Sequence, residues 1–131
     1  MTRILLVALG GAIGATARYG LGVGFGRLAP AAQWPLATLT ANLAGGLLMG
    51  LLAGWLAHRG GAGQEQIRLF AAVGVLGGFT TFSAFSLETV LMIEKGRLGA
   101  AAAYVGLSVA GAVAALFVGL FVARRLFGAG A

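Results

Sequence analysis

Residues 77–86 read GGFTTFSAFS, a run in which glycines and hydroxyl side chains interrupt an apolar stretch. Two adjacent glycines weaken a helix, and two β-branched threonines weaken it further. The pattern predicts a helix that stops and restarts. In lipid, the carbonyls and N–H groups freed by such a stop must be buried in protein or line a cavity. Freed carbonyls at a broken span suit a cation. Beyond the stop, Phe82 and Phe85 lie three residues apart on one helical face. Aromatic ring edges carry partial positive charge. Beside hydroxyls and an amide, two such edges would make a donor-rich lane for a small anion. A plain lipid-facing or core stripe accounts for the same two rings.

Asn42 stands in mid-span within ATLTANLAGG (37–46), with Thr38 one turn earlier on the same face. Its amide offers two donors and two acceptor sites that lipid leaves empty. It therefore either ties helices together or lines a pore. Tyr104 and Ser108, four residues apart, draw a second polar line. Arg18 lies deep in an apolar run, where burying its charge costs from about 3 to above 10 kcal/mol. It needs a watery cavity, a partner chain or an acid. Glu88 is the one acid in the interior of a predicted span, so an Arg18–Glu88 pair and an anion-attracting vestibule both stand open. The single histidine, His58, falls in a predicted loop beside Arg59 and reads as a solvated flank. There is no cysteine, which excludes disulfides, thiolate metal sites and cysteine nucleophiles. No nucleophile–base pair or metal cluster is visible, so an enzyme is not expected.

These residues need elements to hold them, and composition says which kind. Hydrophobic residues make up 60% of the 131 residues and charged residues 9%. A soluble domain carries about 25% charged residues, so the solvent for this chain is lipid. Spanning a bilayer takes about 20 apolar residues. Four spans are predicted, at 3–26, 34–57, 67–94 and 98–124, within one domain covering 1–131. Residues 1–17 have the outline of a signal peptide, but Arg18 and Tyr19 lead into another apolar stretch, so a retained helix is expected. The loops are short: RLAPAAQ at 27–33, HRGGAGQEQ at 58–66 and KGR at 95–97. Pro35 is expected in the first turn of the second helix, where its missing N–H costs little.

The net charge of +6 sits mainly at the edges of apolar runs, the flanking pattern of membrane spans rather than a nucleic-acid patch. One side of the membrane would carry Arg3, Arg59, Arg68, Arg124 and Arg125. The other would carry Arg27, Lys95 and Arg97, with Arg18 as a possible fourth. Such a weak bias fits one orientation with termini inside, and it also fits insertion both ways. Glycines spaced by four form lines: Gly10, Gly14, Gly22 and Gly26 on the first helix, and Gly46, Gly50 and Gly54 on the second. Small residues on one face let helices approach closely in lipid. The cluster GVGFG at 22–26 lacks both the spacing and the preceding strand of a nucleotide loop.

At these residues the chain resembles the Fluc/CrcB family of fluoride channels. The resemblance rests on GGAIGATARYG (10–20), Asn42 in its setting, GGFTTFSAFSLET (77–89) and the Tyr104–Ser108 track. It covers essentially the whole chain. It implies an all-α integral membrane protein of four transmembrane helices, the third broken mid-membrane, paired as an antiparallel dual-topology homodimer with two pores. The backbone carbonyls of Gly77 and Thr80 from both subunits would hold a structural sodium ion that is not transported. Phe82, Phe85, Asn42, Tyr104 and Ser108 would form the fluoride path, with Arg18, Thr38 and Glu88 at a vestibule or interface. Ala112 occupies the next position on the polar track, one turn beyond Ser108, which sets the track's length in question.

The implied function is passive, fluoride-selective export across the inner membrane, relieving fluoride toxicity. The expected partners are fluoride, a second copy of the chain and membrane lipid, with no nucleic acid. Two rivals remain at this stage. A small proton-coupled exporter of hydrophobic cations would need Glu88 as its titratable acid. A non-transporting assembly subunit would explain the glycine lines but not the polar track.

Overall fold

In the computed structural model, which describes residues 1–128, no peptide segment is assigned to a strand and helices account for nearly all of the chain. Helix α1 runs Thr2–Leu28 and α2 runs Leu36–Arg59. Helix α3 covers 64–79: one turn at Gln64–Ile67, a wide-turned π-type segment at Arg68–Leu76, and a last turn at Gly77–Phe79. Helix α4 runs Ser83–Glu94 and α5 runs Leu98–Phe127. Four stretches are long and apolar enough to cross a membrane: Thr2–Leu28, Leu36–Arg59, Gln64–Glu94 and Leu98–Phe127. The expected spans overlap all four, with ends that differ by three residues or fewer. Fraying at helix ends makes differences of this size ordinary.

Lipid offers no hydrogen bonds, so a chain of this composition satisfies its backbone internally by forming helices. The joints follow from the few polar or glycine-rich residues. Gly60, at φ 59°, ends α2 in a conformation that a side chain would strain. Gly96, at φ 75°, turns α4 into α5. Pro35 precedes the first turn of α2 rather than lying within it, and the Leu39 N–H bonds to its carbonyl. His58 belongs to the last turn of α2, not to the loop the sequence suggested. Its Nδ1 lies 2.7 Å from the Gly54 carbonyl.

Packing divides the molecule into two pairs, α1 on α3 and α2 on α5. Glycines set both. A Cβ on Gly50 would run into the Leu116 carbonyl, and one on Gly46 would stand 2.7 Å from the Ala112 carbonyl. The second predicted glycine line therefore packs on α5. The first splits. Gly10 and Gly14 lie against the α3 backbone at Phe70 and Val75, but a Cβ on Gly22 or Gly26 would meet nothing within 4 Å. The half of the line nearer the C-terminus of α1 has no partner within the described residues.

Between α3 and α4 helical geometry lapses. Thr80 is extended, at φ −82° and ψ 159°, and regular helix resumes only at Ser83. The Thr80 hydroxyl donates back to the Leu76 carbonyl at 2.9 Å, closing the end of α3. The Thr81 hydroxyl accepts from the Ala84 N–H at 3.2 Å, capping the start of α4. Each threonine thus terminates one of the two helices. A small aromatic core of Leu39, Phe85, Met92 and Tyr104, flanked by Trp34, ties α4 to α2 and α5.

Candidate functional site

Asn42 and the lapse after Phe79 meet directly. The Asn42 side-chain N–H donates to the Thr81 carbonyl at 3.0 Å, and its side-chain oxygen accepts from the Thr81 N–H at 2.8 Å. The amide thus imitates the neighbouring strand that extended backbone would otherwise need. This clamp uses one amide hydrogen and leaves the second one available. The tie between helices and a donor toward a pore, set against each other by the sequence, are compatible in one side chain.

Asn42, Thr80, Thr81, Phe82, Phe85 and Ser108 share the wall of a groove of about 390 Å³ between α2, α4 and α5. The rest of that wall is largely apolar, and Ala112 lies in it. Phe82 and Phe85 stand with ring centroids 5.5 Å apart and planes tilted by 44°. Their environments differ: Phe82 is 77% exposed and Phe85 is 7% exposed. Phe85 is held by Tyr104, whose ring centroid is 5.3 Å away. The Ser108 hydroxyl is buried with no hydrogen-bond partner among the described residues. An orphaned hydroxyl costs about 1–3 kcal/mol unless something else uses it. It belongs to the wall that Asn42 also lines.

Tyr104 is fully buried, and its ring does not line that groove. Its hydroxyl donates to one Glu88 oxygen at 2.8 Å, while the Thr38 hydroxyl donates to the other at 2.7 Å. A carboxylate between two hydroxyls needs no cation to satisfy it. Glu88 also lines a second cavity of about 340 Å³, bounded by Trp34, Pro35 and Thr38. Of the two readings open for Arg18, the pair with Glu88 does not form. Arg18 is half-buried, and its Nε donates to the Gly78 carbonyl at 3.2 Å. Glu88 has taken hydroxyl partners from α2 and α5, whereas Arg18 faces α3.

The residues expected to hold a cation can be judged by their backbone. Among the described residues, the carbonyls of Gly77 and Thr80 accept no hydrogen bond, whereas Gly78 and Thr81 accept from Arg18 and Asn42. Two neutral, unsatisfied oxygens have the chemistry to supply part of the coordination of a hard monovalent cation. The amides of Phe82 and Ser83 likewise have no acceptor among the described residues, as the first N–H groups of a helix do.

Sequence reasoning missed Thr81, whose backbone is the partner of Asn42, and the pairing of Thr38 with Glu88 and Tyr104. The β-branched pair was the available signal for Thr81. None marked the pairing, because Thr38 and Glu88 are 50 residues apart.

Over residues 5–120 the chain matches the model of a family described as "CrcB-like protein, Camphor Resistance (CrcB)". It is 63% identical over 128 residues to the fluoride-specific ion channel FluC of Phenylobacterium zucineum, covering 97% of this chain and 99% of that one. It is 60% identical over 127 residues to the protein of that name from Caulobacter sp. (strain K31), covering 97% and 98%. For the FluC of Hyphomonas neptunium the identity is 54% over 127 residues, covering 97% and 99%.

Proposed function

The chain belongs to the CrcB family, and we propose from this that it is a multi-pass fluoride channel of the inner membrane, passing fluoride passively out of the cell. The carrying observation is the groove in which the Asn42 amide, the Phe82 and Phe85 rings and the unpartnered Ser108 hydroxyl converge. Fluoride is small and strongly hydrated. Stripping its water in a bare apolar pore would cost tens of kcal/mol. Conduction requires donors that replace the hydration shell yet release the ion. An amide hydrogen, a hydroxyl and ring edges do this without a fixed cation that would trap the anion. The unsatisfied Phe82 and Ser83 amides at the head of α4 add to the same positive end.

We read the lapse at Thr80 as a break at mid-membrane depth and the active form as an antiparallel homodimer. Supporting this are the large exposed apolar surface, with Phe117 at 67% and Phe82 at 77%, and the open Gly22–Gly26 stretch. In that dimer the Gly77 and Thr80 carbonyls of both copies would hold one structural sodium ion. Bound there, the sodium would supply fixed positive charge that pins the two breaks together. The chain's own part is to hold those carbonyls free of hydrogen bonds and outward. Tyr104 would act by positioning Phe85, and Thr38 and Glu88 by holding Tyr104. Arg18, which holds Gly78, would face the vestibule or the dimer interface.

The test is fluoride efflux from proteoliposomes, repeated with chloride. Fast fluoride loss with chloride retained is expected. Equal loss of both, or neither, would refute the reading. Efflux that required a proton gradient and vanished in Glu88→Gln would instead favour a proton-coupled exporter.

A further inference from the structure

Between Arg3 and Arg27, α1 carries one charge, Arg18, and its Nε–H donates to the Gly78 carbonyl at 3.2 Å. Close packing sets this approach. A Cβ on Gly78 would stand 2.6 Å from the Gly11 carbonyl, so glycine is what lets α3 lie this near to α1. Gly14 lies against Val75, and one turn further along α1 comes Arg18, at the last turn of α3. The glycine that permits the approach also leaves the backbone soft. Gly77 and Gly78 are adjacent, and neither has a Cβ to restrict its dihedrals. The Gly78 carbonyl has also lost its helical donor. The Phe82 N–H, four residues on, does not reach it, because the helix lapses at Thr80. Arg18 supplies the missing donor from another helix, and its charge suits the carbonyl end of α3.

The far side of the lapse is held in a parallel way. The Thr80 carbonyl and the Thr81 N–H share one rigid peptide plane. The Asn42 side-chain oxygen accepts from that N–H at 2.8 Å, which fixes the direction of the Thr80 carbonyl. Arg18 fixes the residue that follows the Gly77 carbonyl. The two carbonyls left free of hydrogen bonds, Gly77 and Thr80, thus each adjoin a backbone group pinned by a side chain from another helix.

We infer that Arg18 is a positioning residue for a cation at the break: by holding Gly78 it keeps the Gly77 carbonyl directed out of α3. The inference rests on the reading in which the Gly77 and Thr80 carbonyls of two copies bind sodium. Like charges repel, so the useful part of Arg18 is its Nε–H rather than its charge. Three substitutions separate the two. Glutamine carries a neutral N–H donor on the same side-chain carbon that bears the arginine Nε. Lysine keeps the charge but carries its nitrogen one atom further out. Methionine keeps the apolar length and has no donor.

The test is the unfolding temperature of the purified full chain in detergent, followed across a sodium series with N-methylglucamine holding the ionic strength constant. The unsubstituted chain should gain stability as sodium rises. Arg18→Gln should reach half of that gain at nearly the same sodium concentration. Arg18→Met and Arg18→Lys should need about tenfold more, the loss of one hydrogen bond from a charged donor. If Arg18→Met fails to fold, the comparison of Gln with Lys still decides. A merely structural role would lower the unfolding temperature at every sodium concentration and leave the midpoint unchanged, and that result would overturn the inference. A sodium response kept by Lys and lost by Gln would assign the effect to charge and overturn it too. No sodium response in the unsubstituted chain would instead remove the sodium reading itself, and the role of Arg18 with it.

Discussion

Asn42 bonds to both the N–H and the C=O of Thr81, so a substitution there acts on the backbone as well as on any passing ion. Asn42→Asp keeps the shape, removes the donor and sets a carboxylate against the Thr81 carbonyl. It should cost about 1–3 kcal/mol of stability and bring fluoride efflux from proteoliposomes close to background. Full efflux in this variant would separate Asn42 from the path. Replacing Phe82 and Phe85 together with Ile preserves apolar bulk and removes the ring edges. Fluoride flux should fall, and the unfolding temperature should drop mainly through the buried Phe85. An unchanged flux would remove the ring-edge role. Residue type alone pointed to Asn42, because an amide in an apolar span has to be satisfied by something. Its partner was not legible, lying 39 residues away. The same limit left Arg18 open between an acid and a vestibule: the fold brought it a carbonyl 60 residues away.

At the scale of elements, the spans were legible because lipid makes apolar length the dominant signal. The extended backbone at Thr80 has a local cause, because β-branching and glycine both weaken a helix there. The π-type turns at Arg68–Leu76 had no such signature: the sequence RLFAAVGVL reads as ordinary helix. The glycine lines show why spacing tells that a face is small without telling what covers it. Gly50 lies against the α5 backbone, whereas Gly22 has open space. Gly50→Val should therefore push α2 from α5 and cost about 1–3 kcal/mol, read as a lowered unfolding temperature of the detergent-solubilised chain. Gly22→Val should leave the chain's own packing intact. A dimer-to-monomer shift on size exclusion with that variant would locate a second chain on this face. Equal unfolding temperatures for the two variants would contradict the packing described for α2 and α5.

At the scale of the whole molecule, the arrangement of charge bears on orientation. Arg3, Arg59, Arg68, Arg124 and Arg125 lie toward one end, and Arg27, Lys95 and Arg97 toward the other. Each arginine or lysine near a span favours the cytoplasmic side, so five against three is only a weak preference for one orientation. The α4–α5 turn offers a direct reading of the outcome, because Lys95 is exposed there and the chain has no cysteine of its own. Lys95→Cys creates a single reporter at one end of the molecule. An impermeant maleimide applied to intact spheroplasts should label about half of the molecules, and inverted vesicles should yield the complementary half. The substitution also removes one positive charge from the weaker end, tilting the balance toward termini inside. A parallel variant, Gly99→Cys, keeps that charge and should return the ratio closer to even. Labelling from one side alone in both variants would exclude insertion both ways. The antiparallel pair would fall with it, since two copies in the same orientation cannot be related by an axis lying in the membrane plane.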